Sequence, residues 1–180
     1  MARYVALLRG INVGGNNMIK MADLKSCFED GGFSGVSTYI QSGNVLFTAT
    51  GAASAIPAEV ERILRASFSH YEASVVIRSK RQMTATVAEA PDGFGADRDA
   101  YRYDAIFLKP PLTTARALKV VSAREGVDEV HAGPGVLYFS RLVSRITQTH
   151  LNKIVGSPIY PNVTIRNWNT TTKLLALLEA

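Results

Sequence analysis

Apolar residues recur along this chain in two rhythms. Residues 3–9, 36–41, 45–50 and 74–78 are short runs dense in Val, Ile, Tyr and Phe, with the length and composition of strands. Between them, Met21, Leu24, Cys27 and Phe28 recur at helical spacing and stop at Gly31 and Gly32 with Phe33 behind, the pattern of a glycine-terminated helix. Ile56, Val60, Ile63, Leu64 and Phe68 form the next stripe, with Pro57 in its first turn, where a missing N–H costs nothing. Ser42, Gly43 and Asn44 turn the central hairpin. The order through residue 79 is strand, helix, strand, strand, helix, strand, which is the ferredoxin-like order.

After a short helix expected at residues 81–89 and a loop rich in Asp, Gly and Pro at 91–99, the same grammar resumes. Residues 103–108 read as a strand, Thr113 or Thr114 caps a helix carrying Leu118 and Val121, and hairpin arms follow near 127–131 and 136–140. Residues 147–155 are expected to form a short helix ending at Gly156, 163–166 a last strand and 170–178 a closing helix. The two hairpins share a look, Gly43-Asn44-Val45-Leu46-Phe47 beside Gly135-Val136-Leu137-Tyr138-Phe139, so an internal duplication is expected. The expected fold is α+β, two ferredoxin-like βαββαβ units packed together with an extra C-terminal helix. Residues 1–80 make the first half, 81–101 a connecting helix and loop, and 102–180 the second half with its terminal helix. Tyr4-Val5-Ala6-Leu7-Leu8 is apolar on both alternations, so its strand must be covered on both faces, by the other half or by the Leu-rich terminal helix.

With 180 residues, 47% of them hydrophobic, the chain can bury a real core. Its apolar runs are too short to span a bilayer, and the opening Met-Ala-Arg-Tyr enters a strand without a cleavable signal pattern, so a cytoplasmic protein without membrane partners is expected. The lone Cys27 lies at helical spacing from Leu24 and Phe28 and reads as a core thiol in a reducing compartment. A net charge of +5 favours anionic partners only weakly. Its distribution adds more: residues 130–178 contain no acid but carry Arg141, Arg145, Lys153, Arg166 and Lys173. These cations draw in phosphate or carboxylate groups if they share a face, and are scattered surface charge if they do not.

Two segments concentrate polar chemistry. Residues 9–20 leave a strand and enter a helix through Gly10, Gly14 and Gly15 with Asn12, Asn16 and Asn17, a loop that can present backbone N–H groups to an anion. The spacing fits neither dinucleotide-binding nor P-loop patterns, and Lys20 precedes Met21 rather than Ser or Thr. Arg9, Asn12, Asn16, Asn17 and Lys20, with Gln41, Ser42 and Asn44 from the hairpin turn, form one candidate binding set, each Asn serving either a turn or a ligand. The second segment supplies Arg166, Asn167, Trp168, Asn169 and Lys173. There Asn167 or Asn169 caps the last helix, while Trp168 between two cations either stacks a ligand or seals the core between the halves.

Catalytic signatures are sparse. His70, His131 and His150 show no metal-ligand spacing, so neither a metal nor a cofactor is expected. Asp92, Asp97, Asp99 and Asp104 sit in or beside a loop and read as solvated surface acids, and Ser42 has no local base. Nucleic acid is a weaker partner, because the strand at 45–50 lacks the doubly aromatic pattern that RNA-binding sheets of this type use.

Tyr4 to Leu8 with Arg9-Gly10-Ile11-Asn12-Val13-Gly14-Gly15, then Lys20-Met21, Thr38-Tyr39-Ile40-Gln41-Ser42-Gly43-Asn44-Val45 and Arg166-Asn167-Trp168-Asn169-Thr170 occur in that order, with Thr172-Lys173-Leu174 after them. In these blocks the chain resembles the bacterial proteins grouped as domain of unknown function 1697. It departs from them at Ser144-Arg145-Ile146, where a Ser-Lys-Leu-like triplet is usual, and at Ile165, where the family has a second Thr. The resemblance implies paired ferredoxin-like units, no established activity and no agreed catalytic residues. The function expected is binding of a polar or anionic ligand, a nucleotide or nucleic acid among the options. The alternative is a transferase or hydrolase acting on a phosphorylated small molecule.

Overall fold

A computed structural model describes residues 1–13, 15 and 17–180. The first unit comprises residues 1–83 with 174–180, and the second residues 84–173.

In the first unit, β1 (Ala2–Leu8), α1 (Met21–Asp30), β2 (Ser34–Tyr39), β3 (Asn44–Ala49), α2 (Ile56–Ser67) and β4 (Val75–Ser79) follow in the expected order. The antiparallel sheet runs β2-β3-β1-β4, with Val5 facing Leu46 on one side and Arg78 on the other. Tyr4, Ala6, Leu8, Val45 and Phe47 turn one face to the helices, where Leu24, Phe28, Val60 and Leu64 complete the core. Helix α1 ends as its glycines require: Gly31 N–H donates to the Cys27 carbonyl, Gly32 takes φ +86°, and Phe33 N–H returns to the Phe28 carbonyl. Cys27 is buried and its thiol donates to the Ile63 carbonyl at 3.6 Å; burial pushes the thiol pKa up. Val5, Leu7, Leu46 and Val76, on the other face of the sheet, are also buried, and Arg3 Nη2 there donates to the Leu177 carbonyl at 3.1 Å.

Helix α3 (Lys80–Ala88) leads on, and the second unit repeats the sheet topology with β5 (Tyr101–Leu108), α4 (Thr114–Leu118), β6 (Asp128–Gly133), β7 (Val136–Leu142) and β8 (Val163–Asn167), ordered β6-β7-β5-β8. Thr113 caps α4, its hydroxyl accepting from Arg116 N–H at 3.3 Å. Ile106, Leu108, Leu137, Phe139 and Val163 form the helix-side core. Helix α5 (Trp168–Glu179) closes the chain. The expected α+β architecture of two ferredoxin-like units with a terminal helix is what the chain adopts.

The helix expected at 147–155 is replaced by two 3-10 stretches, Val143–Gln148 and Leu151–Ile154. The cause is Asp128. Its buried carboxylate accepts from the Thr149 hydroxyl at 2.6 Å, from His150 N–H at 2.7 Å and from Arg124 N–H at 3.1 Å. The Thr149 N–H still pairs with the Ile146 carbonyl at 3.3 Å, but the bond to Asp128 takes the His150 N–H out of helical pairing and breaks the segment there.

Candidate functional site

The loop after β1 is built around one side chain. Asn12, at φ +53°, donates from Nδ2 to the carbonyls of Ile19 and Gln41, each at 2.9 Å, and accepts from Ile19 N–H at 2.8 Å. It pins the loop end to the hairpin turn. Asn17 donates to the Gly10 carbonyl at 2.9 Å. The buried Asn44 donates to the Tyr39 carbonyl and the Ser42 hydroxyl, each at 3.0 Å. The Arg9 carbonyl accepts from the Tyr71 hydroxyl at 2.7 Å. These amides therefore hold the fold's own backbone. Lys20 and Gln41 are exposed and line a hollow of about 280 Å³ with Asn12, Met18 and Met21. Asn16, together with Gly14, lies outside the described residues.

The Arg166 to Lys173 segment belongs to the second unit, except that α5 continues from Leu174 into the first. Arg166 stands opposite Ala105 in the sheet, buried, its Nη1 donating to the Ile165 carbonyl at 3.0 Å. Arg78 does the same in the first sheet, opposite Val5, donating to the Ile77 carbonyl at 2.9 Å, and burial pushes its guanidinium down to about 10. Asn167 is the cap of α5, its Oδ1 accepting from Thr170 N–H at 2.8 Å. Three further cations of the acid-free stretch have local partners. Arg141 is paired with the buried Asp104 at 3.0 Å, Arg145 reaches the Gly126 carbonyl and Gln148, and Lys153 contacts His150. Burial raises the Asp104 carboxyl pKa, against the pull of Arg141.

Trp168 packs into an aromatic cluster. Its ring meets Phe94 edge-on at 5.0 Å and Tyr138 at 6.1 Å, and Phe94 meets Tyr103 at 4.9 Å. Gly95, at φ +87°, lies so close to the indole that a Cβ would overlap it. Tyr138 is fully buried and donates to the Thr86 carbonyl at 2.8 Å, with its phenol pushed up to about 12 by burial. The centre of this sheet face is thus filled by the protein's own rings. Beside the cluster opens a hollow of about 270 Å³, lined by Trp168, Asn167, Asn169, Gly95, Tyr101 and Tyr103. Arg98 and Arg102 complete it. Arg98 Nε donates to the Gly95 carbonyl at 3.2 Å and Arg102 Nη1 to the Arg98 carbonyl at 2.6 Å, which holds both guanidinium groups at the lip with N–H donors to spare.

Sequence reasoning found Asn167, Trp168 and Asn169 here but missed Arg98, Tyr101, Arg102 and Tyr103. The signal available was the alternation Tyr101-Arg102-Tyr103 at a strand start, which puts both rings on one face.

Fold and site together define a paired ferredoxin-like α+β protein with a cation-lipped hollow in its second unit. The model of the family described as Protein of unknown function (DUF1697) matches residues 1–138, and the chain belongs to that family. Among solved structures, the conserved bacterial protein SP0830 from Streptococcus pneumoniae is similar over 100% of this chain and 99% of its own, at 26% identity and a TM-score of 0.89. Comparison with the curated proteins gives no significant match. Among the described residues, no helix is long and apolar enough to cross a membrane.

Proposed function

We propose that this protein binds a small polar or anionic ligand in the hollow of its second unit. The observation that carries the reading is the pairing of Arg98 and Arg102 with Tyr101, Tyr103 and Trp168 around one concavity. Guanidinium forks suit phosphate or carboxylate oxygens, and the rings suit a flat body attached to them. A nucleotide answers to both. The buried thiol of Cys27 is in keeping with a cytoplasmic setting. An internal duplication is part of the same picture: Leu8 N–H donates to the Gly43 carbonyl and Leu108 N–H to the Gly135 carbonyl, and Arg78 and Arg166 repeat one bonding pattern.

Trp168 is the only tryptophan of the chain and lines the hollow, so its emission reports on occupancy. Titration with inorganic phosphate and with nucleoside monophosphates should shift that emission saturably. The Arg98→Ala, Arg102→Ala double variant should lose the response with an unchanged melting temperature. A double variant that responds like the wild type overturns the proposal, as does a wild type with neither an emission change nor a heat of binding. Oligonucleotide retention that falls steeply with added salt would point to nucleic acid as the ligand.

A further inference from the structure

Register places Tyr103, Ser140 and Glu129 side by side across β5, β7 and β6, all on the sheet face that carries Tyr138. The neighbouring row on that face brings His131 beside Tyr138, and the His131 and Glu129 side chains approach to 3.7 Å. The 91–94 turn supplies Asp92 and Phe94, and the open hollow that these residues line is about 380 Å³. Ser140 is only 7% exposed, lines this space, and its hydroxyl makes no hydrogen bond among the described residues. Tyr101 and Tyr103 border this space and the arginine-lipped hollow alike.

From this arrangement we infer that the second space is the cation-recognising end of the same binding groove, taking an organic ammonium or guanidinium group. Two carboxylates, Asp92 and Glu129, offer charge, the Ser140 hydroxyl offers an acceptor below them, and the tyrosine and phenylalanine rings offer π faces. The arginines bind an anion at the other end, so the ligand class is bipolar: an acid group and a basic nitrogen joined across the two tyrosines. The inference rests on the ligand-binding reading of the adjacent hollow and adds the ligand's second charge.

The test compares aminoalkyl phosphates of increasing chain length with alkyl phosphates of the same length, binding to the full chain. Charge-assisted hydrogen bonding at the amine should make the best aminoalkyl phosphate about tenfold tighter than its partner. Glu129→Gln should cut that advantage to less than about twofold while leaving alkyl phosphate affinity unchanged. Equal affinity of the two series for the wild type, or an advantage that survives both Glu129→Gln and Asp92→Asn, overturns the inference. If no phosphate binds at all, the arginine-site proposal has failed on its own. The alkylammonium compound alone then decides: shifts of the Ser140 and Tyr103 amide resonances that vanish in Glu129→Gln support the cation site, and their absence in the wild type overturns it.

Discussion

Asn12 shows how a residue with binding chemistry can serve the scaffold instead. Its amide makes three hydrogen bonds to backbone groups of Ile19 and Gln41, from a left-handed backbone conformation. Asn12→Ala leaves those groups unpaired and should cost about 1–3 kcal/mol in chemical denaturation. Ile40 points the other way. It is 48% exposed at φ +51°, a conformation that disfavours a β-branched side chain by about 1–2 kcal/mol. Ile40→Asn should therefore raise stability by about 1 kcal/mol, and an unchanged or lower denaturation midpoint would refute the strain. Asp104 predicts a pH dependence. Its folded carboxyl holds a proton more strongly than the unfolded one, so its contribution is fully present below the ordinary carboxylate pKa and is lost as pH rises through the raised value. Melting temperatures across mildly acidic pH should fall less steeply with rising pH in Asp104→Asn than in the wild type.

At the scale of elements, the cap and the glycine under Trp168 make separable predictions. Asn167→Ala removes the bond to Thr170 N–H and should cost about 1 kcal/mol. Gly93 and Gly95 both have positive φ, but a Cβ on Gly93 meets nothing within 4 Å while one on Gly95 overlaps the indole. Gly95→Ala should therefore destabilise more than Gly93→Ala and shift Trp168 emission, which Gly93→Ala should not. The elements of the first unit were legible because Leu24, Phe28, Val60 and Leu64 repeat at the helical period and the strands are bounded by glycine turns. The break at 149–150 was not, because the His150 N–H and the Thr149 hydroxyl are taken by Asp128, a partner from β6. The hollow was legible only on the Asn167 to Asn169 side. The rest of its lining depends on Gly95 meeting Trp168 and Arg102 folding back to Arg98, and neither approach leaves a periodic trace in the sequence.

At the scale of the molecule, the division into units does not follow the chain. Residues 174–180 belong with 1–83, and Leu174 and Leu178 are fully buried. Burying a leucine is worth about 1.5–3 kcal/mol, so removing residues 174–180 should weaken the first unit by several times the effect of any surface change. Hydrogen exchange should show β1 to β4 amides losing protection while β5 to β8 keep theirs; equal loss in both sheets would contradict the division. The same feature orders events during synthesis. Residues 1–83 are made first and 174–180 last, so the first unit cannot be complete until the whole of the second has been made, although the four strands of its sheet all lie before residue 80.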